Sequence, residues 1–263
     1  MNSTQKPIGI FDSGIGGTSI WKEIYQLLPN ENTIYLSDSK NAPYGQKSTQ
    51  EIIDLSIKNT EFLINKGAKI IVVACNTATT NAIQYLRTNY DIPFIGIEPA
   101  IKPASLKTKT GTVGILATKG TLNSALFEKT TSNISDEITI IEQVGEGLVE
   151  LIENGKMESD EMTFLLEKYI NPMLEKKCDY IVLGCTHYPY LLPQIQKITG
   201  DGIQIIDSGE AVAKQVKNVL SLQNLVNNST NQSSNIFYIN KDKSVLENIL
   251  KDYKNSKIDY LDF

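Results

Sequence analysis

Two apolar runs in this chain lead directly into a cysteine that polar residues follow. The first run, Ile70–Val73, reaches Cys75 and then Asn-Thr-Ala-Thr-Thr, and the second, at 180–183, reaches Cys185 and then Thr-His. Runs that are apolar at every position predict strands covered on both faces, as in the parallel sheets of α/β proteins. This repeated feature restricts the fold strongly, because both cysteines must then lie where a buried strand ends.

The two cysteine segments belong to a longer internal repeat. Three pairs of segments resemble each other in the same order, at offsets of 105, 110 and 109 residues (8 to 113, 75 to 185 and 97 to 206). A near-constant offset over three pairs favours a duplicated architecture over chance similarity. The pairs are IGIFDSG (8–14) with VGILATKG (113–120), IIVVACNT (70–77) with YIVLGCTH (180–187), and PFIGIEP (93–99) with QIIDSG (204–209).

The repeat predicts the fold class and the division of the chain. We expect two similar α/β domains with mainly parallel sheets, related by an approximate two-fold axis, with the active site in the cleft between them. The first domain is expected to comprise residues 1–98 together with a C-terminal return at 208–263. The second domain is expected to comprise residues 99–207.

Short sequence motifs predict individual helices, strands and a linker within these domains. Ser48-Thr49-Gln50-Glu51 reads as a capping box that starts a helix running to about Lys66, with Gly67 as its C-terminal cap. The Asn- and Ser-rich stretch 221–234 reads as a solvated, mobile linker. Beyond it, 235–239 and 244–253 predict one last strand and one last helix.

Composition excludes several classes of protein. The net charge of −5 argues against a broad nucleic-acid-binding surface, which requires a dense Lys/Arg face. No apolar run approaches the roughly 18 residues of a membrane span, and the first residues contain no signal-peptide core. Three cysteines do not suggest a disulfide framework, so we expect a cytoplasmic protein.

The placement of the two thiols predicts a reaction. Parallel α/β sheets bind ligands beyond the carboxyl ends of their strands, so Cys75 and Cys185 would face each other across the cleft. Inverting a stereocentre requires a base on one face of a carbon and an acid on the other, and a thiol can serve as either. His187 would favour the thiolate of Cys185, whereas Asp12 would disfavour a thiolate at Cys75 but could accept its proton.

Five motifs now identify a resemblance. FDSGIGG (11–17), APYG (42–45), ACNTA (74–78), GIEP (96–99) and GCTHYP (184–189) together resemble glutamate racemases, of the aspartate/glutamate racemase superfamily, over residues 7–220. The resemblance implies two α/β domains, a homodimer and no cofactor or metal. It also implies interconversion of L- and D-glutamate, which supplies D-glutamate for peptidoglycan synthesis.

The resemblance also implies residue roles. Cys75 would deprotonate D-glutamate and Cys185 would deprotonate L-glutamate, assisted by Asp12, by His187 and by a glutamate that falls on Glu153. The segment QVGEGLVELIENG (143–155) departs from the family pattern, since it lacks the usual Cys-Pro pair and a further proline. Two nearby carboxylates, Glu146 and Glu150, therefore compete for the role assigned to Glu153.

Substrate binding is predicted without an arginine clamp. The only arginine of the chain, Arg87, lies more than two helical turns beyond Cys75, so backbone amides and hydroxyls at helix starts must bind the carboxylates. The resemblance implies a substrate pocket formed by Asp12, Ser13, Pro43, Tyr44, Gly45, Asn76, Thr77, Thr118, Thr121, Thr186 and His187.

Alternative functions remain open on sequence grounds. Cys75, Cys185, His187 and Asp12 are all competent zinc ligands, so a metal-dependent hydrolase is one alternative, although no CxxC or HxxxH spacing supports it. A racemase of another amino acid, such as aspartate, is a second, and a non-catalytic binding protein is a third. The remaining cysteine, Cys178, has no partner in the repeat and is assigned to the core.

Overall fold

The computed structural model describes residues 3–229 and 232–263 and contains two parallel sheets. Its strands are β1 (Ile8–Asp12), β2 (Thr33–Ser37), β3 (Ile70–Val73), β4 (Phe94–Gly96), β5 (Thr112–Ala117), β6 (Thr139–Val144), β7 (Tyr180–Gly184), β8 (Gln204–Ile206), β9 (Asn235–Ile239) and β10 (Ser256–Tyr260). The first sheet has the order β10-β9-β2-β1-β3-β4 and the second β6-β5-β7-β8.

Helices connect the strands and cover both faces of the sheets. They are α1 (Thr18–Leu27), α2 (Thr49–Asn65), α3 (Asn76–Asn89), α4 (Ile101–Lys107), α5 (Lys119–Leu122), α6 (Ala125–Thr131), α7 (Leu148–Glu153), α8 (Asp160–Glu175), α9 (Leu192–Thr199), α10 (Gly209–Leu222) and α11 (Ser244–Leu250). Short 3₁₀ turns occur at Ser3–Gln5, Ser39–Asn41, Tyr44–Gln46 and Tyr188–Leu191.

The strand orders confirm the predicted fold class of two similar α/β units. Four consecutive strands of the first sheet, ending at its edge strand β4, run β2-β1-β3-β4, and the second sheet repeats this order as β6-β5-β7-β8. The three matched sequence pairs fall on β1 and β5, on β3 and β7, and on β4 and β8. The predicted domain boundaries at 98/99 and 207/208 lie between the two sheets and stay a prediction.

Burial explains why the inner strands are apolar throughout. Every residue of β1 and β3 is buried. Along β3, Ile70 and Val72 pack in the same cluster as Trp21 of α1, whereas the alternate residues pack in the cluster that contains Leu63 of α2. Each fully buried aliphatic side chain contributes about 1.5–3 kcal/mol of transfer free energy, so this alternation anchors the strand from both faces.

The C-terminal return differs from the prediction. The last helix ends at Leu250 rather than near 253, and a further strand, β10, pairs in parallel with β9 at the edge of the first sheet. The sequence of β10, Ser-Lys-Ile-Asp-Tyr, contains only two apolar residues, and none of its five residues is buried. An exposed edge strand of this kind lacks the apolar run by which β1 and β3 were identified.

Most described residues of the segment 221–234 are exposed, as predicted for a solvated linker, but contacts of Leu225 and Asn227 attach it to the first half. Asn227 is buried, and its amide donates to Glu31 Oε1 at 2.8 Å. The ammonium of Lys69 donates to the carbonyl of Leu225 and forms a buried ion pair with Glu31. Residues 230–231 of the predicted linker lie outside the described residues.

Helix α2 begins and ends close to the predicted positions. Ser48 and Glu51 form both hydrogen bonds of the capping box that starts α2, and the helix ends one residue before the expected Lys66. Gly67 follows with φ of +82°, a left-handed conformation that glycine adopts readily. In the ranges 3–229 and 232–263, no helix combines the length and the apolar character that crossing a membrane requires.

Candidate active site

Both repeated cysteines lie at the carboxyl ends of their strands and line one central cavity. Cys75 follows β3 of the first sheet and Cys185 follows β7 of the second. The central cavity has a volume of about 10 Å³. Its lining brings together most of the predicted site residues: Ser13, Pro43, Tyr44, Gly45, Cys75, Asn76, Thr77, Thr118, Cys185, Thr186 and His187, with Val149 in addition.

Cys75 caps α3 with its own side chain. The amide of Ala78 donates to Cys75 Sγ at 3.4 Å, and the thiol of Cys75 donates to Ser13 Oγ at 3.7 Å. Burial and, after it, the charge of Asp12 raise the pKa of Cys75 well above its usual value. Cys75 is therefore a neutral thiol, which is the form that can deliver a proton.

Asp12 ends β1 and does not line the central cavity itself. Its Oδ2 accepts from the amides of Gly17, at 2.8 Å, and Gly14, at 3.3 Å, so it caps the turn before α1. Its Oδ1 lies 3.4 Å from both the Ser13 and the Thr186 hydroxyls, which reach it from the two halves of the molecule. Burial raises the pKa of Asp12, and the opposing charge of His187 reduces this shift.

His187 connects Cys185 to Glu153. Its Nδ1 lies 3.8 Å from Cys185 Sγ, and its Nε2 lies 2.6 Å from Glu153 Oε1. Burial by itself lowers the pKa of His187, but the hydrogen bonds to Cys185 and Glu153 and the charge of Asp12 raise it well above its usual value. The Gly16 amide also lies 3.2 Å from Nε2, but the shorter contact to the Glu153 carboxylate, which only accepts, requires a proton on Nε2. The imidazolium form then donates from Nδ1 as well, which stabilises a thiolate at Cys185.

The structure distinguishes Glu153 from its two competitors. Glu153 is the last residue of α7, it is buried, and a side chain at Gly14 would overlap its carboxylate. Glu146 and Glu150 instead line an outer cavity of about 250 Å³, where Glu150 accepts from Gln46 Nε2 at 2.6 Å. Of the three, Glu153 is the carboxylate that contacts His187.

Asn76 and three threonines supply polar groups on one side of the site. Both side-chain polar atoms of Asn76 are buried without a hydrogen-bond partner among the described residues. The hydroxyls of Thr77, Thr118 and Thr121 form a ring across the cleft, with Oγ1–Oγ1 distances of 2.8, 3.0 and 3.3 Å. Thr121 does not line the central cavity but completes this ring. These groups can bind a carboxylate without a fixed cation.

The Tyr44–Gly45 segment contributes its backbone and ring rather than a hydroxyl. Tyr44 donates to Asp38 Oδ2 at 2.5 Å and accepts from Asn59 Nδ2 at 3.1 Å, so its phenol is already used within the first half. A Cβ atom on Gly45 would lie 2.8 Å from Thr118 Cβ. Glycine at this position therefore allows the two halves to approach each other.

Sequence reasoning missed three contributors to the site. Val149 lines the central cavity from α7, and the Ile15 amide and the Ser39 hydroxyl both donate to Glu153, each at 2.7 Å. A lone valine or serine carries no local signal of such a role. The Ile15 contact was accessible only through the FDSGIGG motif that contains it.

A metal site requires several ligating side chains around one point. In the described part of the chain, no three His, Cys, Asp or Glu side chains are grouped so that they could hold a metal ion. Cys178, two residues before β7, is buried in the hydrophobic core as predicted, and burial raises its pKa to about 11.

Comparison with known proteins agrees with the motifs. The profile of the family described as Asp/Glu/Hydantoin racemase matches residues 9–216. The chain is 45% identical over 227 residues to the glutamate racemase of Ectopseudomonas mendocina, with 86% of each chain covered. It is 45% identical over 243 residues to the glutamate racemase of Clostridium perfringens, covering 92% of this chain and 94% of the relative.

Solved structures show the same fold. The glutamate racemase isoform RacE1 of Bacillus anthracis superposes with a TM-score of 0.87 at 30% identity, covering 99% of this chain and 98% of that one. The Escherichia coli glutamate racemase, solved with L-glutamate and the activator UDP-MurNAc-ala, gives 0.84 at 31% identity over 97% and 98%. The resemblance drawn from the motifs is thus confirmed, and the chain belongs to the Asp/Glu/Hydantoin racemase family of isomerases.

Proposed function

We propose that this enzyme interconverts L- and D-glutamate with two cysteines and no cofactor. The observation that carries the proposal is that Cys75 and Cys185 reach one cavity from the strand ends of two different sheets. Their surroundings differ in charge, since Asp12 acts on Cys75 and His187 contacts Cys185. A symmetric reaction on one carbon requires two such groups on opposite faces.

The proton transfers balance with these two groups alone. With L-glutamate, the Cys185 thiolate takes the α-proton, and the electron pair of the broken C–H bond stays on the α-carbon and its carboxylate. The thiol of Cys75 then gives its proton to the opposite face and becomes the thiolate. The reverse reaction starts with Cys75 as the thiolate and Cys185 as the thiol. In the direction that begins with L-glutamate, the imidazolium of His187 would stabilise the thiolate of Cys185.

The polar groups of the site suit an amino dicarboxylate. The unpartnered amide of Asn76 and the ring of threonine hydroxyls would donate to carboxylate oxygens, and the start of α3 adds a favourable dipole. Arg87 is turned away, since it donates to the Phe94 carbonyl. Relatives named glutamate racemase at 44–45% identity support glutamate over other amino acids.

Binding requires the cleft to open. A cavity of about 10 Å³ holds no more than one water molecule, far less than the volume of glutamate. The contacts that cross the cleft, including the threonine ring and the Gln46–Glu150 hydrogen bond, would separate as substrate enters. Closure then aligns both thiols and excludes water from the carbanion.

Proton NMR in D₂O tests the activity directly. Purified enzyme is incubated with L-glutamate and EDTA without pyridoxal phosphate, and the α-proton signal is followed together with optical rotation. We expect the α-proton to disappear while the rotation decays to zero. An unchanged α-proton would exclude glutamate racemisation, and aspartate in a parallel tube then tests the sister activity.

Alanine variants of the three cysteines test the two-thiol mechanism. We expect Cys75→Ala and Cys185→Ala each to lower kcat by at least ~100-fold, since each removes a general acid–base group. Cys178→Ala is the matched control, because this cysteine is equally buried but lies in the core. Equal losses in all three variants would show that packing, rather than proton transfer, is responsible.

The cellular role follows from the same proposal. We propose that the enzyme works in the cytoplasm as a homodimer and supplies D-glutamate for peptidoglycan synthesis. Growth of a bacterium that requires D-glutamate, when it expresses this chain, tests the role. Light scattering after gel filtration tests the dimer, and a mass near the 29.2 kDa of one chain would contradict it.

A further inference from the structure

The carboxylate of Glu153 is held by donors on both of its oxygens. Oε1 lies 2.7 Å from the Ile15 amide and 2.6 Å from His187 Nε2. Oε2 accepts from the hydroxyl of Ser39 at 2.7 Å. Ser39, Glu153 and His187 are all buried, so bulk water does not compete for these hydrogen bonds.

Ser39 reaches this carboxylate from the other half of the molecule. It follows β2 of the first sheet, whereas Glu153 ends α7 of the second half. Its hydroxyl also lies 3.1 Å from the hydroxyl of Ser37. Because a carboxylate only accepts, Ser39 donates to Glu153 and Ser37 donates to Ser39. One line of hydrogen bonds thus runs from β2 through Glu153 and His187 to Cys185.

The Ser39 contact determines which way the carboxylate faces. The last torsion of a glutamate side chain is broad and has no strongly preferred value. With Oε2 bound to Ser39, the plane of the carboxylate is fixed and Oε1 points at His187. Without that donor, the Ile15 amide still holds Oε1, but Oε2 is free to turn about the Cγ–Cδ bond, and we expect the short hydrogen bond to His187 to lengthen.

We propose that Ser39 is a positioning residue that orients Glu153, and through it His187, for proton transfer at Cys185. The inference rests on the proposed function, since Cys185 is the base for L-glutamate there. Ser39 does not line the central cavity, so its effect on substrate binding is small.

The direction of the effect follows from the charges around His187. The titratable groups that face its ring are Asp12 from the end of β1, Glu153 from α7 and Cys185 from its own loop. A weaker bond to Glu153 lowers the pKa of His187, because less negative charge remains close to Nε2. The imidazolium is then lost at lower pH, and the thiolate of Cys185 loses its partner.

The single histidine of the chain makes this measurable. With ¹⁵N-histidine labelling, every imidazole signal belongs to His187. The variants are Ser39→Ala and the isosteric pair Ser39→Thr and Ser39→Val, which differ by one hydroxyl. Ser56→Ala is the matched control, since Ser56 is a buried serine whose hydroxyl donates to the Ile52 carbonyl within α2.

We expect the hydroxyl-free variants to lower the titration midpoint of His187 and to reduce kcat about 10-fold, with KM nearly unchanged. Ser39→Thr should retain the wild-type midpoint and exceed Ser39→Val in kcat by a similar factor. A reduced kcat with unchanged ring shifts would overturn the proposal, because the loss would then be structural. Altered ring shifts with an unchanged kcat would overturn it equally.

The same measurements separate this inference from the proposed function. If wild-type enzyme fails to exchange the α-proton of glutamate, the proposed function fails, and the NMR titration still reports whether Ser39 orients the Glu153–His187 pair. If wild-type enzyme racemises glutamate and Ser39→Ala matches it in kcat and in ring shifts, only the inference fails. Melting temperatures of all variants identify any that unfold.

Discussion

Asn76 is buried at the start of α3, and neither polar atom of its side chain has a hydrogen-bond partner among the described residues. A buried polar group without a partner destabilises the fold, so its presence calls for another reason, such as a ligand that binds there. Asn76 lines the central cavity next to Cys75, so we assign it to substrate binding. Replacing it by alanine should therefore stabilise the protein and weaken binding together.

The two effects can be sized separately. Each unpartnered polar group costs about 1–3 kcal/mol, and part of this gain is offset by lost packing, so we expect Asn76→Ala to raise the unfolding free energy by about 1–2 kcal/mol. For a chain of this size that corresponds to a rise in Tm of about 2–8 °C. A hydrogen bond to a charged carboxylate contributes about 1.5–3 kcal/mol, so KM should rise about 10- to 100-fold.

Urea denaturation followed by the fluorescence of Trp21, the only tryptophan, measures the first effect. Circular dichroism of the racemisation measures the second. Asn227→Ala is the matched control, because this buried asparagine lies outside the site and both polar atoms of its side chain are satisfied. Its Nδ2 donates to the Asn30 carbonyl at 2.7 Å, and its Oδ1 accepts from the Ser229 amide at 3.1 Å. We expect the control to lose about 1–2 kcal/mol of stability with KM unchanged.

Two results would refute the reasoning. If Asn76→Ala is less stable than wild type, then the amide is satisfied in solution and its burial has no cost to recover. If the variant is more stable but its KM is unchanged, the unpartnered amide is not a substrate ligand. Either outcome would also require a different explanation for how the site binds the substrate carboxylates without a cationic side chain.

Three further predictions concern other parts of the molecule. Because the pKa of His187 is raised in the folded state, its contribution to stability is complete below about pH 6.5 and is lost as pH rises through the raised value. Unfolding free energy should therefore fall from pH 6.5 to 8.5 more steeply in wild type than in His187→Gln. Gly45→Ala would place a Cβ atom 2.8 Å from Thr118 Cβ, so we expect incomplete closure and a loss of kcat of about 100-fold with little change in Tm. Lys69→Met would leave Glu31 buried and unpaired, at a cost of about 3–5 kcal/mol by urea denaturation, and adding Glu31→Gln should restore most of it.

Strong local patterns made the fold readable from the sequence. A central parallel strand is buried on both faces, so β1, β3 and β7 are apolar runs that can be recognised without a structure. The duplicated order of strands appeared as a near-constant offset between similar segments. Since parallel strands end on a common edge, the positions of Cys75 and Cys185 in one cleft followed from the pattern alone.

Elements without such a pattern were misjudged. Strand β10 lies at an edge with no buried residue, so its sequence is mostly polar and resembles a loop. The stretch 221–234 has the composition of a solvated linker, yet Asn227 is buried against Glu31, a residue almost 200 positions earlier. A polar composition shows that a segment can be exposed to solvent. Whether a given residue of it is buried depends on the tertiary contacts that it makes with distant residues.

The site shows the same division. Residue type and motif position predicted the thiols, His187 and the hydroxyls, because each stands at a strand end or a helix start. They did not distinguish Glu153 from Glu146 and Glu150, which differ in where α7 and the turn before it place them. That choice, like the contact of Ser39 with the same carboxylate, is made when the two halves of the chain pack against each other, and no local stretch of sequence contains both partners.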